Sequence, residues 1–542
     1  MLVTPRRMGL HGKILFSTVA TVLLACQSSP PDAGVDSGVP EGGVDGLTVM
    51  TTRGLVTGKR AGDVLAFLGI PYAAPPVGPL RWRPPLEPER WDARTATQFG
   101  AACPQGADEV SGEALDVSED CLTVNVWTPT TAQDASLPVM VFLHGGGFQT
   151  GSGGNPKFDG TRLATQQVVV VTLNYRLAQL GFLAHPALSA EDEHHSSGNY
   201  GLLDQQAALR WVRENAAAFG GAPDRVTLFG ESAGSLSVCA HTASPVAAGL
   251  FQRAIGQSGA CAFLTTPLRV PGDSALKSAE WLGGEVARIL GCDTAPDVLA
   301  CMRGKPVADV LAVPPPSARG EPKYEPNVDG YVLPEPVWTA LETGRGNPLD
   351  GFIAGTTQDE ATAFTRSLAI ETAADYKTGV AALVPGHEEE VLSLYPVASY
   401  PTPKAAFSAF VTDLTFICPT RAQTLLLAAH GTPSYLYLFT KQTPFGTASG
   451  LGVYHSSELP FVFGNLIARS GNTPSDRALS DLMMGYWVGF AKTSTPSVAG
   501  APEWPRFSRS DDAFLELGEH TQPGTALHST QCNTILGWQT TL

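Results

Sequence analysis

Short and almost wholly apolar segments recur along the chain from residue 47 onward, and more polar, helix-compatible stretches separate them. Apolar runs rich in β-branched and aromatic residues are typical of strands buried on both faces of a parallel sheet. The pattern predicts strands at Val139–His144, Val168–Tyr175, Val226–Gly230, Arg253–Gln257, Gly351–Gly355 and Tyr435–Phe439. Residues Leu202–Ala218 have helical periodicity and end before a Gly-Gly pair. This alternation predicts an α/β fold with a mostly parallel central sheet and helices on both faces.

The domain organisation follows from the absence of breaks in this pattern. No internal repeat and no Pro/Ser-rich linker interrupts residues 47–542, so we predict that they form one domain. Residues 262–350 are Pro-rich and helical by turns. This composition indicates that the segment forms a lid or subdomain inserted between two strands.

The amino terminus has the pattern of an export signal. Three basic residues precede the apolar run Ile14–Ala25, which at about 1.5 Å per residue is too short to cross a membrane. We therefore predict a signal peptide at 1–25 and, from the Ser, Pro, Gly and Asp content, a flexible tether at 26–46. Cys26 follows a sequence that resembles a bacterial lipoprotein box, in which the cysteine carries lipid; an ordinary secretory signal is the alternative. The predicted location is extracytoplasmic, either anchored to a membrane, with the outer membrane favoured, or secreted.

Charge and cysteine content narrow the function classes. With 35 Lys and Arg against 51 Asp and Glu, the chain has a net charge of −16 and no dense basic stripe, which argues against nucleic-acid binding. Eight of the nine cysteines lie beyond Cys26, and an even number in an exported chain indicates disulfides. Spacing alone leaves their pairing open. No cysteine or histidine cluster has zinc-binding spacing, so no metal site is predicted.

The segment Gly230–Gly234 (GESAG) fits the G-x-S-x-G pattern. It would hold Ser232 at a sharp turn between the strand Val226–Gly230 and a helix-compatible stretch, Ala233–Ala240. The start of such a helix directs backbone N–H groups toward developing negative charge. The pattern also occurs in ordinary Gly-rich loops, and the strand–turn–helix context is what makes Ser232 the predicted nucleophile.

A second glycine-rich segment, His144–Phe148 (HGGGF), directly follows the predicted strand Val139–His144. Glycines lack a Cβ, so their N–H groups can come close to a substrate oxygen. HGGG-type loops form part of the oxyanion hole in esterases. The alternative is a phosphate-binding loop, but the segment has neither the Lys-Ser/Thr of a P-loop nor G-x-G-x-x-G spacing.

A serine nucleophile needs a base and an acid that orients the base, and in this strand–turn–helix context both follow the serine along the chain. His455 lies in a Gly-rich loop shortly after the predicted strand Tyr435–Phe439, where a catalytic loop is expected. The other histidines beyond residue 360 lie in segments predicted to be exposed and polar: His387, His430, His520 and His528. For the acid, the spacing allows either Asp359 or Glu360.

Further segments extend this pattern over most of the chain. In order they are Phe67–Ala73 (FLGIPYA), Glu119–Trp127 (EDCLTVNVW), HGGGF, Asn199–Gln205 (NYGLLDQ), GESAG, Gln257–Gly259 (QSG), Asp359–Glu360 and Phe461–Gly464 (FVFG). From residue 47 onward the chain resembles the type-B carboxylesterase family, the esterase and cholinesterase branch of the α/β-hydrolases. The resemblance implies an α/β-hydrolase fold with helical insertions, and no cofactor.

The resemblance also assigns roles to individual residues. It implies that Ser232 is the nucleophile, His455 the base and Glu360 the acid. The other implied positions are the oxyanion-hole donors and two residues that brace the triad: Gly146, Gly147 and Ala233, then Ser258 and Glu458. Choline-selective members have a tryptophan in the first cysteine loop, and residues 104–120 contain none, so we expect no choline preference.

Three disulfides are implied by the resemblance: Cys103–Cys121, Cys292–Cys301 and Cys418–Cys532. The remaining Cys239 and Cys261 follow the nucleophile turn and the next strand, which should be neighbours. We therefore predict a fourth bridge between them, with two buried free thiols as the alternative.

Together these features predict a serine carboxylesterase that hydrolyses small-molecule esters through an acyl-enzyme intermediate. One alternative is a surface binding or adhesion module that uses the same fold without catalysis. Such modules typically lack a triad member, whereas all three are present here. The other alternative is a lipase that acts at lipid–water interfaces.

Overall fold

The computed structural model describes residues 46–106, 115–270, 276–315, 321–466 and 471–539. The predicted signal peptide, tether positions 26–45 and Cys26 lie outside the described residues. The boundaries of the domain predicted at 47–542 stay a prediction. Within the described ranges, no helix has the length and apolar character needed to span a bilayer.

A large mixed sheet and a small one form the framework of the described chain. Their strands are β1 Thr48–Thr51, β2 Gly54–Thr57, β3 Lys59–Ala61, β4 Val64–Pro71, β5 Ala93–Thr95, β6 Thr123–Thr128, β7 Leu137–Leu143, β8 Val169–Leu173, β9 Gly221–Glu231, β10 Arg253–Gln257, β11 Gly351–Thr357, β12 Ser434–Phe439, β13 Ala513–Leu517 and β14 Gln522–Thr525. The large sheet has the order β14-β13-β12-β11-β10-β9-β7-β8-β6-β4-β3, and the small sheet has the order β1-β2-β5. From β13 to β8 every neighbouring pair is parallel, whereas both edges are antiparallel. The predicted α/β fold with a mostly parallel sheet is confirmed.

Helices occupy most of the connections between these strands. Their bounds are α1 Thr161–Ala164, α2 Ala178–Phe182, α3 Pro186–Glu191, α4 Tyr200–Asn215, α5 Ala233–Ala243, α6 Ala279–Ile289, α7 Val298–Arg303, α8 Val307–Leu311, α9 Val337–Glu342, α10 Thr362–Thr365, α11 Ala373–Leu383, α12 Glu388–Leu394, α13 Pro403–Thr412, α14 Cys418–Ala429, α15 Pro444–Ser449, α16 Leu459–Phe463, α17 Pro474–Thr493 and α18 Ser529–Gln539. A π-helix, Asp413–Ile417, joins α13 to α14. The segment predicted as an insertion lies between β10 and β11 and contributes α6 to α9.

The predicted strands agree with the observed ones to within a few residues, with one clear exception. The strand β9 begins at Gly221 rather than at Val226. Gly221 pairs with Leu137 of β7 and Val226 pairs with Val139, so the register of the pairing changes between these two positions. Pro223 and Asp224 are exposed and Arg225 is half-buried, so this part of the strand has no continuous apolar run and was not predicted.

The parallel strands direct the candidate residues to one edge of the sheet. Ser232 follows β9, Ser258 follows β10 and Glu360 follows β11, while the loop that carries His455 follows β12. Because carboxyl ends of parallel strands share an edge, these residues lie on the same side of the sheet. Four disulfides are present in the described chain: Cys103–Cys121, Cys239–Cys261, Cys292–Cys301 and Cys418–Cys532.

Candidate active site

Ser232 occupies a strained turn between β9 and α5. Its φ of +57° and ψ of −123° lie in a region that non-glycine residues rarely adopt. The turn is tight enough that a Cβ at Gly234 would stand 1.9 Å from the carbonyl oxygen of Leu143. A glycine is therefore required two residues after the serine, since any side chain there would push α5 away from β7. The backbone N–H of Ser232 donates to the carbonyl of Gln257 at 2.9 Å, which fixes the turn to β10.

The HGGGF loop packs directly against this turn. A Cβ at Gly145 would stand 2.9 Å from the Cβ of Ser232, so the loop reaches the serine only because that position is glycine. Within the described ranges, the backbone N–H groups of Gly146, Gly147 and Ala233 donate to no protein acceptor. Three backbone donors in the loop and the turn are thus available to an oxygen bound near Ser232.

The imidazole of His455 is held by a buried carboxylate. Its Nδ1 lies 2.5 Å from Oε2 of Glu360, and Oε1 of Glu360 accepts the backbone N–H of Thr357 at 2.7 Å. Asp359 has a different task, since its Oδ2 accepts the N–H of Val453 at 2.8 Å and so ties the histidine loop to the end of β11. Of the two acids that spacing allowed, the structure brings Glu360 to the ring.

The other ring nitrogen lies beside the nucleophile turn. His455 Nε2 is 3.1 Å from Oε1 of Glu231, the residue just before Ser232, although the two atoms do not have hydrogen-bond geometry. Oε1 of Glu231 also accepts the hydroxyl of Ser456 at 2.5 Å. In the described chain no hydrogen bond joins Ser232 Oγ to Nε2, and Nε2 has no other hydrogen-bond partner. Catalytic hydrogen bonds of this kind commonly tighten only when substrate binds.

Three buried carboxylates determine the charge state of the histidine. Burial lowers the pKa of His455, but the carboxylates of Glu231 and Glu360 outweigh it and raise the pKa to about 9. Burial, together with the same two carboxylates, raises the pKa of Glu458 to about 8. Burial also raises the pKa of Glu231, against the opposing effect of His455. At neutral pH these values favour a positively charged His455 ring and a protonated Glu458.

The two residues expected to brace the triad differ in their contacts. Oε1 of Glu458 accepts the side-chain amide of Gln257 at 3.0 Å, and Gln257 in turn accepts the indole N–H of Trp487 at 3.2 Å. The hydroxyl of Ser258 is buried and has no hydrogen-bond partner among the described residues. Its backbone N–H donates to the carbonyl of Gly355 at 2.8 Å. Ser258 thus links β10 to β11 through its main chain.

Two contacts at the site were not predicted from the sequence. Glu231 was treated only as the variable position of G-x-S-x-G, yet its place at the end of a buried strand was a signal that its side chain would be buried there. The rings of Phe364 and Phe416 lie 5.0 Å and 5.2 Å from the imidazole of His455. Phe364 is 54% exposed, so it forms an apolar wall that faces solvent beside the histidine.

The remaining histidines lie elsewhere. His430 Nε2 contacts the carbonyl of Glu342 at 3.0 Å, and His387 stacks on the ring of Trp538. His528 differs from the expected exposed polar position, because its Nδ1 lies 2.7 Å from the buried carboxylate of Asp413. Among the described residues, no group of three or more His, Cys, Asp or Glu side chains is arranged to hold a metal ion.

Comparison with known proteins identifies the family. A model of the Carboxylesterase family matches residues 45–535, nearly the whole length of the chain. The chain belongs to the carboxylesterase family. As a carboxylesterase it is a carboxylic ester hydrolase, and its substrates are small-molecule esters.

Several known esterases are similar to this chain over most of their length. The fumonisin B1 esterase of Sphingopyxis macrogoltabida is 36% identical over 488 residues, which cover 88% of this chain and 87% of that one. The para-nitrobenzyl esterase of Bacillus subtilis is 38% identical over 489 residues, covering 86% and 94%. A cholinesterase of Mus musculus is 33% identical over 519 residues, covering 89% and 84%.

Proposed function

We propose that this carboxylesterase works by a serine mechanism with an acyl-enzyme intermediate. Ser232 is the nucleophile, His455 the general base and Glu360 the acid that orients the ring. The observation that carries the proposal is the placement of His455 between two carboxylates. Its Nδ1 is fixed by Glu360 at 2.5 Å, while its Nε2 stands 3.1 Å from the residue that precedes Ser232.

In the first half-reaction, the neutral ring of His455 takes the proton of the Ser232 hydroxyl through Nε2 as Oγ attacks the ester carbonyl. The carbonyl oxygen becomes negative and is stabilised by the N–H groups of Gly146, Gly147 and Ala233, each contributing about 3 kcal/mol in comparable sites. The tetrahedral intermediate collapses, the imidazolium gives its proton to the departing alkoxide oxygen, and the acyl group stays on Ser232.

In the second half-reaction, water repeats the sequence on the acyl-enzyme. His455 deprotonates the water, the hydroxide adds to the acyl carbonyl, and the ring returns the proton to Ser232 Oγ as the carboxylic acid leaves. Glu360 holds the ring through Nδ1 and stabilises the imidazolium in both halves. Glu458 and Ser258 brace this geometry. Glu458 accepts a hydrogen bond from Gln257, and Ser258 donates its backbone N–H to Gly355 in β11.

The test is the variant Ser232→Ala, measured with a soluble p-nitrophenyl ester. We expect kcat to fall by about 10³- to 10⁶-fold with the fold intact, as for other triad knock-outs. Ser399→Ala is the matched control, because Ser399 is exposed and lies on the connection between α12 and α13; it should keep wild-type turnover. Wild-type turnover by a folded Ser232→Ala protein would refute the serine mechanism.

We further propose that the protein is exported and held at a membrane through lipid on Cys26. The four disulfides support an oxidising compartment. The anchor rests on the sequence before residue 26 alone. The variant Cys26→Ser should move the protein from the membrane fraction to the soluble fraction of the cells that express it, and continued retention in the membrane fraction would refute lipidation.

A further inference from the structure

The buried side chain of Gln105 links the first disulfide loop to Gly151, three residues beyond the HGGGF segment. Its Oε1 accepts the backbone N–H of Gly151 at 2.7 Å, and its Nε2 donates to the carbonyl of Gly151 at 2.8 Å. Nε2 also donates to the carbonyl of Cys103 at 3.0 Å, next to the disulfide. The amide is nine-tenths buried, so these bonds are shielded from competing water.

Gly151 is packed against the residues that start the HGGGF loop. With φ at +118°, a Cβ on Gly151 would stand 2.2 Å from Nδ1 of His144 and 2.6 Å from the carbonyl oxygen of Gly145. The preceding residue is equally close, because a Cβ on Gly146 would stand 2.2 Å from the carbonyl oxygen of Thr150, whose N–H bonds back to Gly146 at 3.0 Å. Residues 150 and 151 therefore cannot shift without moving Gly145 and Gly146.

A second amide holds the next part of the same segment. Oδ1 of Asn174, at the end of β8, accepts the N–H of Gly153 at 2.8 Å and the hydroxyl of Ser152 at 3.1 Å. Its Nδ2 donates to the carbonyls of Ala101 at 2.9 Å and Cys121 at 3.2 Å, on either side of the disulfide loop. Asn174 joins this segment to the end of β8. Among the described residues, Gln105 is the other side chain that links the disulfide loop to the segment, on the side nearest Gly146.

We propose that Gln105 is a positioning residue for the oxyanion hole. Through Gly151 it holds the N–H groups of Gly146 and Gly147 where the negative oxygen forms. The proposal rests on the serine mechanism proposed above. Electrostatic stabilisation by backbone donors depends on geometry held within about 0.5 Å. Loss of the hydrogen bonds to Gly151 would reduce stabilisation of the transition state more than it reduces the affinity for substrate.

Two variants separate hydrogen bonding from shape. Gln105→Met fills the same space without a polar atom, and Gln105→Glu keeps the shape and an acceptor for the N–H of Gly151. The matched control is Asn215→Leu. Asn215 is also buried, and it accepts the N–H of Thr52 at 2.8 Å while donating to the carbonyl of Trp211 at 2.8 Å. It lies before the start of β9, at the opposite end of the strand from Ser232.

For each protein we would measure kcat, KM, thermal midpoint and the affinity for a trifluoromethyl ketone, whose serine adduct carries an oxyanion. We expect Gln105→Met to lower kcat about tenfold or more, with KM changed less than about threefold, and to lower ketone affinity in parallel with kcat. Gln105→Glu should lie between the wild type and Gln105→Met. Asn215→Leu should lower the thermal midpoint and leave kcat and ketone affinity unchanged.

The outcomes are distinguishable. If wild-type turnover survives Ser232→Ala, the serine mechanism fails and the role of Gln105 fails with it. If turnover needs Ser232 but folded Gln105→Met and Gln105→Glu proteins keep wild-type kcat and ketone affinity, only the role of Gln105 is refuted. A fall in kcat that Asn215→Leu reproduces would also refute it, since the effect would then follow stability alone. Should Gln105→Met not fold, Gln105→Glu alone gives the same decision.

Discussion

Replacing Glu231 by glutamine should change the pH dependence of the enzyme in a defined direction. Oε1 of Glu231 stands 3.1 Å from Nε2 of His455, and Glu231 is the largest of the influences that raise the pKa of the histidine to about 9. Since His455 must be neutral to accept the Ser232 proton, kcat/KM of the wild type should rise with pH and level off above an inflection well over 6.5.

The size of the change follows from the geometry. At an effective dielectric constant of about 20, unit charges 3.1 Å apart interact by roughly 5 kcal/mol, which sets a ceiling of about four pKa units. Burial raises the pKa of Glu231 and so weakens its effect on the histidine, which places the expected change below this ceiling. We therefore expect the inflection of Glu231→Gln to fall by at least about one unit, equivalent to about 1.4 kcal/mol.

The assay is kcat/KM for a soluble p-nitrophenyl ester across neutral and alkaline pH, with the Ser232→Ala rate subtracted as background. Glu280→Gln is the control, because Glu280 is also buried but bonds to Ser189 and Arg269 rather than to any residue named in the site. Its profile should match the wild type. Superimposable profiles for Glu231→Gln and the wild type, or a wild-type inflection at or below 6.5, would contradict this account of the site.

Three further predictions concern stability and the nucleophile turn. Replacing Cys239 and Cys261 together by alanine should cost about 3 kcal/mol of unfolding free energy, as expected for a bridge that spans 22 positions, and denaturant unfolding measures it; an unchanged midpoint would argue against the bridge. The hydrogen bond to Asp413 raises the pKa of His528. His528→Gln should therefore lower the melting temperature below pH 6.5, and the difference from the wild type should disappear as the pH rises through the folded-state pKa. An equal drop in melting temperature at pH 6 and pH 9 would refute this linkage. Gly234→Ala should abolish turnover because its Cβ would overlap the Leu143 carbonyl, and wild-type kcat in the purified variant would show that the turn is less tight than described.

The sheet was predictable because its central strands are apolar on both faces. Strands such as β10 and β12 are fully buried, and a continuous apolar run bounded by polar residues is the expected pattern for such a strand. The start of β9 was missed because the exposed Pro223 and Asp224 interrupt the apolar run, and because the pairing with β7 changes register in this part of the strand. An apolar run in the sequence predicts only the buried part of a strand, so the exposed part is not predicted.

The candidate site was predictable to the extent that each residue lies in a connection that follows a parallel strand. Ser232, Glu360 and His455 follow β9, β11 and β12, and parallel strands bring such positions to one edge. Spacing could not separate Asp359 from Glu360, since adjacent side chains differ only in the direction they point; the resemblance favoured Glu360, and the structure brings that carboxylate to His455.

Contacts between distant segments were beyond prediction from local pattern. Gln105 and Gly151 are 46 positions apart, and nothing in either segment shows that they meet. The same holds for His528 and Asp413, 115 positions apart, where a polar terminal segment was expected to be exposed. These contacts depend on how loops pack on the finished sheet, which the periodicity of one element does not encode.

Trapping the acylated enzyme tests the central claim most directly. The protein is mixed with a slowly deacylating p-nitrophenyl ester, quenched in acid, digested and analysed by mass spectrometry, while released nitrophenol is followed before the steady state. We predict a burst of about one nitrophenol per enzyme and an acyl group on the Ser232 hydroxyl, with neither in Ser232→Ala. Hydrolysis with no burst and no adduct, or an adduct on another residue with turnover retained in Ser232→Ala, would contradict the account.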